Sequence, residues 1–301
     1  MTASWLVDLK STMADPFRID GPAQISFSGG RTSGYMLHRI VQAHGGVVPD
    51  DVVVCFANTG REMPATLDFV RDCGAAWNVP IRWLEYRHEP GRHLCIEVSH
   101  NSASRDGEPF EHAIRSRSVL PNPVMRFCTA ELKIRTMQRF IRETRGWDAW
   151  VSVVGLRADE PKRVAKAMDL ARQSRDGQRG RVICPLAEAG IEEIDVLRFW
   201  RAQPFDLALK GRWEGNCDGC FLKGRGAISR MARDYPERMQ WWADQEAAKK
   251  HVATYLRLKE MAMFRADRED YAKLLQITRD QGVLPFDLDD PIACEDAACG
   301  V

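Results

Sequence analysis

A chain of 301 residues with 45% hydrophobic content has enough apolar side chain for a substantial core, and its length suits one large domain or one domain with an appendage. Its formal net charge of +1 excludes a global field that would draw it to nucleic acid or to a membrane, so any anion site must be local. No apolar run approaches the ~20 residues that span a bilayer, and residues 1–20 lack the basic start and apolar core of a secretory signal, so a soluble, cytoplasmic protein with no membrane partner is expected.

The first strong pattern is Gln24-Ile25-Ser26-Phe27-Ser28-Gly29-Gly30-Arg31-Thr32-Ser33. Ile25 to Phe27 alternates like the end of a buried strand, and Tyr35, Met36, Leu37, Ile40 and Val41 continue at helical spacing. Between them, Gly29 and Gly30 let the backbone approach an anion, while Ser28, Thr32 and Ser33 offer hydroxyls at the positive end of a helix. No lysine follows as a Walker A loop requires, and no dinucleotide glycine fingerprint is present. Taken alone, the segment also reads as an ordinary turn into a core helix.

Residues 52–57 form a continuous apolar run, as expected of a strand buried on both faces, and end in the polar turn Asn58-Thr59-Gly60. A helix over 64–77 and a strand over 81–86 follow. The region 87–122, rich in Ser, Gly, Pro, His and Arg, reads as a functional loop or cover. A helix over 129–144 carries Lys133, Arg135, Arg139 and Arg142 on one face, which suits a solvated surface, a wall of the nucleotide site or a track for a phosphate backbone. A strand over 150–154 then runs into Gly155-Leu156-Arg157-Ala158-Asp159-Glu160, with Lys162 and Arg163 close behind.

Residues 170–181 read as a charged surface loop, and 194–200 as a helix. Beyond Gly211 comes a knuckle rich in Gly and Cys, then helices around 225–233, 236–250 and 267–280, with the adjacent Trp241 and Trp242 expected to pack in core and rim. Alternating strands and helices predict an α/β, Rossmann-like doubly wound parallel sheet with ligands at the carboxyl ends of its strands. The expected division is a nucleotide-binding domain over 1–210 and a helical, cysteine-containing region over 211–301.

Nine cysteines, an odd number, do not read as a disulfide framework. Cys55 and Cys73 suit buried structural thiols, and Cys95 and Cys184 lack a partner at ligand spacing. Cys217-Asp218-Gly219-Cys220 can present two thiolates to one metal centre.

Ser28-Gly29-Gly30-Arg31-Thr32-Ser33 resembles the pyrophosphate-binding loop of adenine-nucleotide alpha hydrolases, the superfamily of PP-loop ATP pyrophosphatases. Asn58-Thr59-Gly60 with Glu62, Arg126-Phe127-Cys128-Thr129 with Lys133, and Gly155 to Glu160 with Arg163 are similar to motifs of its phosphoadenylyl-sulfate (PAPS) reductase branch. The resemblance implies an adenine-nucleotide site built from Ser26, Ser28, Gly29, Gly30, Arg31, Thr32, Ser33, Asn58, Thr59, Gly60, Gly155 and Arg157. It implies a 4Fe-4S cluster on Cys128, Cys217 and Cys220. Phe127 stands where the family has a second cysteine, so Cys294 or Cys299 is left to supply the fourth ligand, or an iron stays open for substrate sulfur. All-thiolate ligation does not by itself separate iron–sulfur from a zinc knuckle. Lys223 and Arg225 beside the knuckle would balance charge or hold a substrate anion, or lie solvated.

Two enzyme mechanisms follow from the resemblance. In one, the loop holds the leaving pyrophosphate of ATP while Lys133, Arg157, Lys162 and Arg163, with magnesium as a further cation, assist adenylation and sulfur transfer to a nucleic-acid or small-molecule acceptor. In the other, the ligand is PAPS or adenylyl sulfate, Cys299 attacks its sulfur, and a thioredoxin-type partner releases sulfite. The tail Cys299-Gly300 is faintly similar to the catalytic Glu-Cys-Gly end of the reductases, with Ala298 in place of the glutamate. A catalytically silent nucleotide- or nucleic-acid-binding module with a structural metal is the third reading.

Overall fold

The computed structural model describes residues 15–173, 181–256 and 262–281. Its strands are β1 (Ala23–Ser26), β2 (Val52–Asn58), β3 (Ile81–Glu89), β4 (Arg92–Val98), β5 (Val151–Val154) and β6 (Val182–Ile183). They form one sheet in the order β4-β3-β2-β1-β5-β6, parallel throughout except for the β3–β4 pair. The fold is α/β, with helices on both faces of the sheet.

The helices are α1 (Arg31–Ala43), α2 (Pro64–Ala76), α3 (Glu108–Arg117), α4 (Thr136–Arg145), α5 (Pro161–Gln173), α6 (Pro185–Glu188), α7 (Glu193–Arg201), α8 (Arg225–Asp234), α9 (Pro236–Leu256) and α10 (Tyr271–Gln281). All seven residues of β2 are buried, and its alternation divides them between two layers. Val52, Val54 and Phe56 pack with the apolar stripes of α1, α2 and α7, whereas Val53, Cys55 and Ala57 pack with Met137, Phe140 and Ile141 of α4.

The chain departs from its sequence-based reading at three places. Residues 170–173, read as the start of a surface loop, close α5, while 174–180 lie outside the described residues. Residues 87–122 are not one long loop: β3 runs on to Glu89, turns at Pro90 and Gly91 (φ 74°), and returns as β4 in antiparallel register, Glu89 opposite Arg92. α3 follows within the same stretch. The helix expected over 129–144 starts as a π-helical segment, Thr129–Arg135, before continuing as α4; within it the Thr136 hydroxyl donates to the Glu131 carbonyl at 2.7 Å.

The C-terminal helices are fixed to the sheet by a shared apolar cluster and by one buried carboxylate. The cluster joins Met63, Tyr86, Phe110 and Leu132 to Phe221, Ile228, Trp242, Phe264 and Tyr271. Trp242 is fully buried at its centre while Trp241 lies over the Arg61 guanidinium, 4.8 Å from ring centroid to Cζ. The carboxylate is Asp218, fully buried between the two cysteines of the knuckle. It accepts from Arg61 Nη2 at 2.7 Å, Arg238 Nε at 2.7 Å, Trp242 Nε1 at 2.7 Å and the Gly219 N–H at 2.7 Å. Its own N–H donates to the Arg61 carbonyl, and its carbonyl accepts from Lys223 Nζ at 2.9 Å. Lys223 is therefore buried and anchored in the knuckle rather than solvated, and Arg225 lies beside Glu269.

A buried ion pair broken on one side leaves uncompensated charge. Asp218→Asn should cost about 3 kcal/mol, read as a lowered urea midpoint with unchanged slope. Gly219→Ala should cost about 1–3 kcal/mol, because a Cβ there would collide with the indole of buried Trp242.

His38 on α1 supplies a pH-dependent test. Its ring sits 5.3 Å from Trp77 and 4.7 Å from Phe199, and Nδ1 is buried without a hydrogen-bond partner among the described residues. Burial, then the neighbouring Arg39, holds its pKa below the ordinary 6.5. The unfolded chain takes up the proton at that ordinary value and the folded chain only at lower pH, so stability falls as pH drops through 6.5 and levels off below the folded value. Urea midpoints of wild type and His38→Phe compared across this range should shift in favour of the variant on acidification.

Candidate functional site

The strand order reverses between β1 and β5, where Ser26 lies in register with Val154, and a crevice opens at these carboxyl ends. It is lined by Ser26, Ser28, Gly30, Arg31, Thr32 and Ser33 from the first loop and helix and by Gly155, Arg157, Glu160, Arg163 and Asn216 from later segments. The loop is tied to itself: Ser33 Oγ accepts from the Ser28 N–H at 3.2 Å, contacts Ser28 Oγ at 3.0 Å and donates to the Gly30 carbonyl at 2.9 Å. Gly29 takes φ 76°, and a Cβ there would lie 2.8 Å from Thr66 Cγ2. Gly29 turns the loop from beneath, and Gly30 reaches the crevice. Gly30 caps α1 with no side-chain hydrogen bond, which leaves the first-turn N–H groups directed at any anion in the crevice.

The basic residues of the crevice are held by carboxylates. Arg157 donates to Asp159 at 2.8 Å, lies 3.7 Å from Glu160 and 4.0 Å from Glu193, and reaches Thr32 Oγ1 at 3.3 Å. Burial opposes ionisation of Asp159, but the Arg157 guanidinium outweighs it and holds that carboxyl below its usual range. Arg163 pairs with Glu160. Arg31 turns away, making two bonds to Asp206 at 2.7 and 2.9 Å and one to the Leu207 carbonyl at 2.8 Å. Lys162 is exposed and outside the lining.

The loops after β1 and β5 both line this crevice, whereas Asn58-Thr59-Gly60 is not part of its lining. β2 lies on the other side of β1 from β5, one strand removed from the strand-order reversal. Asn58 is fully buried, donating to Glu85 Oε1 at 2.6 Å and to the Ser104 carbonyl at 2.9 Å. Gly60, at φ 77°, packs against Gly107 and Ser104.

Thr59 instead lines a second cavity, with Phe110, Arg126, Cys128, Lys133, Cys217 and Cys220. Its hydroxyl donates to the buried Glu62 carboxylate at 2.8–2.9 Å and lies 3.4 Å from Cys217 Sγ. Glu62 forms an isolated antiparallel bridge with Cys217. The three candidate ligands from distant segments thus border one space, with two cations at its wall. An all-thiolate donor set of this kind suits iron–sulfur or zinc. The described residues nonetheless gather no group of three or more His, Cys, Asp or Glu side chains that could hold a metal ion, magnesium included. Cys294 and Cys299 lie outside the described residues. Among the other described thiols, burial disfavours the thiolate: it pushes Cys55 and Cys73 well up, Cys95 to about 12 and Cys184 to about 11.

Asn216 and Asp218 were absent from the sequence-based site. Asn216 stands at φ 57°, a left-handed position that asparagine tolerates, and lines the crevice while its neighbour Cys217 lines the cavity. Its place beside the first knuckle cysteine was the available signal.

The chain is 29% identical over 223 residues, 70% of this chain and 69% of the other, to nin region protein ORF290 of Escherichia phage lambda. It also aligns with the U34-tRNA thiolase NcsA from Methanococcus maripaludis, solved with its 4Fe-4S cluster, at 15% identity and a TM-score of 0.39 over 88% of this chain and 84% of that one, too low a similarity to argue from. Residues 22–204, which hold the whole sheet, the Ser28 loop and the Gly155 turn, match the phosphoadenosine phosphosulfate reductase domain, and the chain belongs to that family.

Proposed function

We propose that this protein is a PP-loop enzyme that binds ATP in the Ser28 crevice, activates a substrate oxygen as its adenylate and replaces that oxygen with sulfur at the cysteine cavity. The observation that supports the reading is an adjacency: Asn216 borders the crevice and Cys217, one peptide bond on, borders the cavity. A nucleotide with its phosphates on the α1 N-terminus would have its reacting end near the thiols.

In the first step a substrate oxygen attacks the α-phosphorus of ATP, the bond to the bridging oxygen breaks, and pyrophosphate leaves with the electron pair. The N–H groups of Arg31, Thr32 and Ser33 and the hydroxyls of Ser28 and Thr32 would hold the departing phosphates. Arg157 and Arg163 would neutralise charge once the anion draws them from Asp159 and Glu160. In the second step a sulfur nucleophile attacks the adenylated carbon and AMP departs. Lys133 and Arg126 would face the anionic species at the cavity. Cys128, Cys217 and Cys220, with Cys294 as fourth ligand, would hold a 4Fe-4S cluster, which when bound would hold or deliver sulfur. In the same reading residues 1–210 form the nucleotide-binding unit and 211–301 the cysteine-bearing unit.

The family's own description favours a second reading, reduction of PAPS to sulfite with Cys299 as nucleophile and a thioredoxin-type reductant. The two separate in one set of measurements on anaerobically purified protein. The ATP reading expects iron and acid-labile sulfide, tighter binding of ATP than of PAPS, and pyrophosphate release dependent on acceptor. Sulfite release from PAPS with reduced thioredoxin, lost in Cys299→Ser, would overturn it. Gly30 has ordinary backbone angles (φ −104°, ψ 162°), and a Cβ there meets nothing nearer than Ser28 Oγ at 3.7 Å. Gly30→Ala should therefore fold normally yet bind ATP about tenfold or more weakly, a loss of roughly 1.4 kcal/mol.

A further inference from the structure

One face outside the crevice and the cavity carries concentrated positive charge. It is assembled from four segments: Arg87 and His88 on β3, His93 on β4, His112, Arg115 and Arg117 on α3, and Arg135 and Arg139 on the π-helical segment and α4. The His88 and His93 rings, opposite one another in the β3–β4 hairpin, lie 5.4 Å apart, and Arg87 and His88 of that hairpin act on His112 of α3. Burial and the charges of Arg115 and Arg87 hold His112 below its ordinary value, and burial with Arg139 does the same for His93, so both rings sit in a positive field.

The arginines are organised from beneath by Glu131, whose side chain is 1% exposed. Its Oε1 accepts from both Arg117 and Arg135, and its Oε2 lies 3.7 Å from Arg139 Nη2. Three guanidinia share one carboxylate, which leaves an excess of positive charge with fixed geometry. Arg117 and Arg135 are nonetheless 44% and 49% exposed. Arg139 Nη1, and Arg142 Nη2 next along α4, are buried with no hydrogen-bond partner among the described residues, so these guanidinia are only partly neutralised. A single small anion cannot span four segments. A repeating anion can, and arginine's planar fork suits phosphate oxygens.

The π-helical segment that bears Arg135 follows directly on Cys128, and its Thr129, Leu132 and Lys133 line the cysteine cavity. The basic face and the cavity wall are thus two sides of one turn of chain.

We propose that this face docks the sugar–phosphate backbone of a nucleic acid, and that the polymer so held presents the sulfur acceptor to the cavity. The docking surface stands by itself; the acceptor assignment rests on the sulfur-transfer reading above.

The test is fluorescence anisotropy of the full-length protein with labelled single-stranded DNA, single-stranded RNA and duplex DNA, each about 20 nucleotides or base pairs long, over a salt series. Binding to at least one is expected, with log affinity falling against log salt at a slope of about −3 for roughly four phosphate contacts. The charge reversal Arg87→Glu/Arg115→Glu, at two exposed positions, should weaken that binding about tenfold or more and flatten the slope by about 1–2. Arg198→Glu, 73% exposed on α7, should leave it unchanged. No salt-dependent binding to any probe overturns the proposal, as does an equal effect of both variants, or displacement of the oligonucleotide by saturating ATP, which would locate it in the crevice. ATP binding by the wild type is measured on the same samples. Loss of oligonucleotide binding with ATP binding intact refutes the surface alone, whereas absence of ATP binding refutes the nucleotide reading and leaves the surface to be judged on its own result.

Discussion

The structure depends on the Asp218 carboxylate more than on any other polar group. Buried with its two oxygens shared among two arginines, an indole and a backbone N–H, it binds the loop after β2 (through Arg61), helix α9 (through Arg238 and Trp242) and the knuckle into one unit. It works alongside the apolar cluster that Cys128 and Cys217 border and the Glu62–Cys217 bridge. The energetic logic is that of a fully desolvated charge: it is tolerable only while every partner is present, so it specifies one arrangement of the C-terminal helices against the sheet and penalises others.

That arrangement puts two chemically unlike spaces side by side. The crevice is polar, ringed by hydroxyls, helix N–H groups and ion pairs, whereas the cavity is largely apolar with thiols in its wall. Buried Glu62 and Thr59 form the hinge between the β2 loop and Cys217, so the geometry of the cavity is inherited from a strand end that takes no part in lining the crevice. The family model reaches residue 204 and thus covers the sheet but not the knuckle; the cysteine cavity is built by joining the two.

Much of this was legible in the sequence. The Ser28 loop and the β2 run announce themselves because burial on both faces demands continuous apolar residues, and the turn at Gly155 because charge follows immediately after a strand. The β3–β4 hairpin was missed although Leu94, Ile96 and Val98 alternate and Pro90-Gly91 marks the turn; the histidines and arginines of this edge strand disguised it. In the sequence Asp218 is only a residue between two cysteines, since nothing local shows that Arg61, 157 positions earlier, will reach it. The basic stripe of α4 was seen, but its organising carboxylate, Glu131, lies on the same turn and reads as ordinary helix chemistry until α3 brings Arg117 alongside. Long-range polar pairing is what periodicity cannot supply.

The ion pairs of the crevice carry a final consequence. Asp159, Glu160 and Glu193 act as resident counterions for Arg157 and Arg163, so the crevice behaves as an ion exchanger rather than as an open positive funnel. An entering anion must outcompete carboxylates already in position, which favours ligands of high charge density over chloride or single carboxylates. The displaced acids then stand ready to reclaim their arginines as charge leaves, and selectivity and release arise from the same exchange.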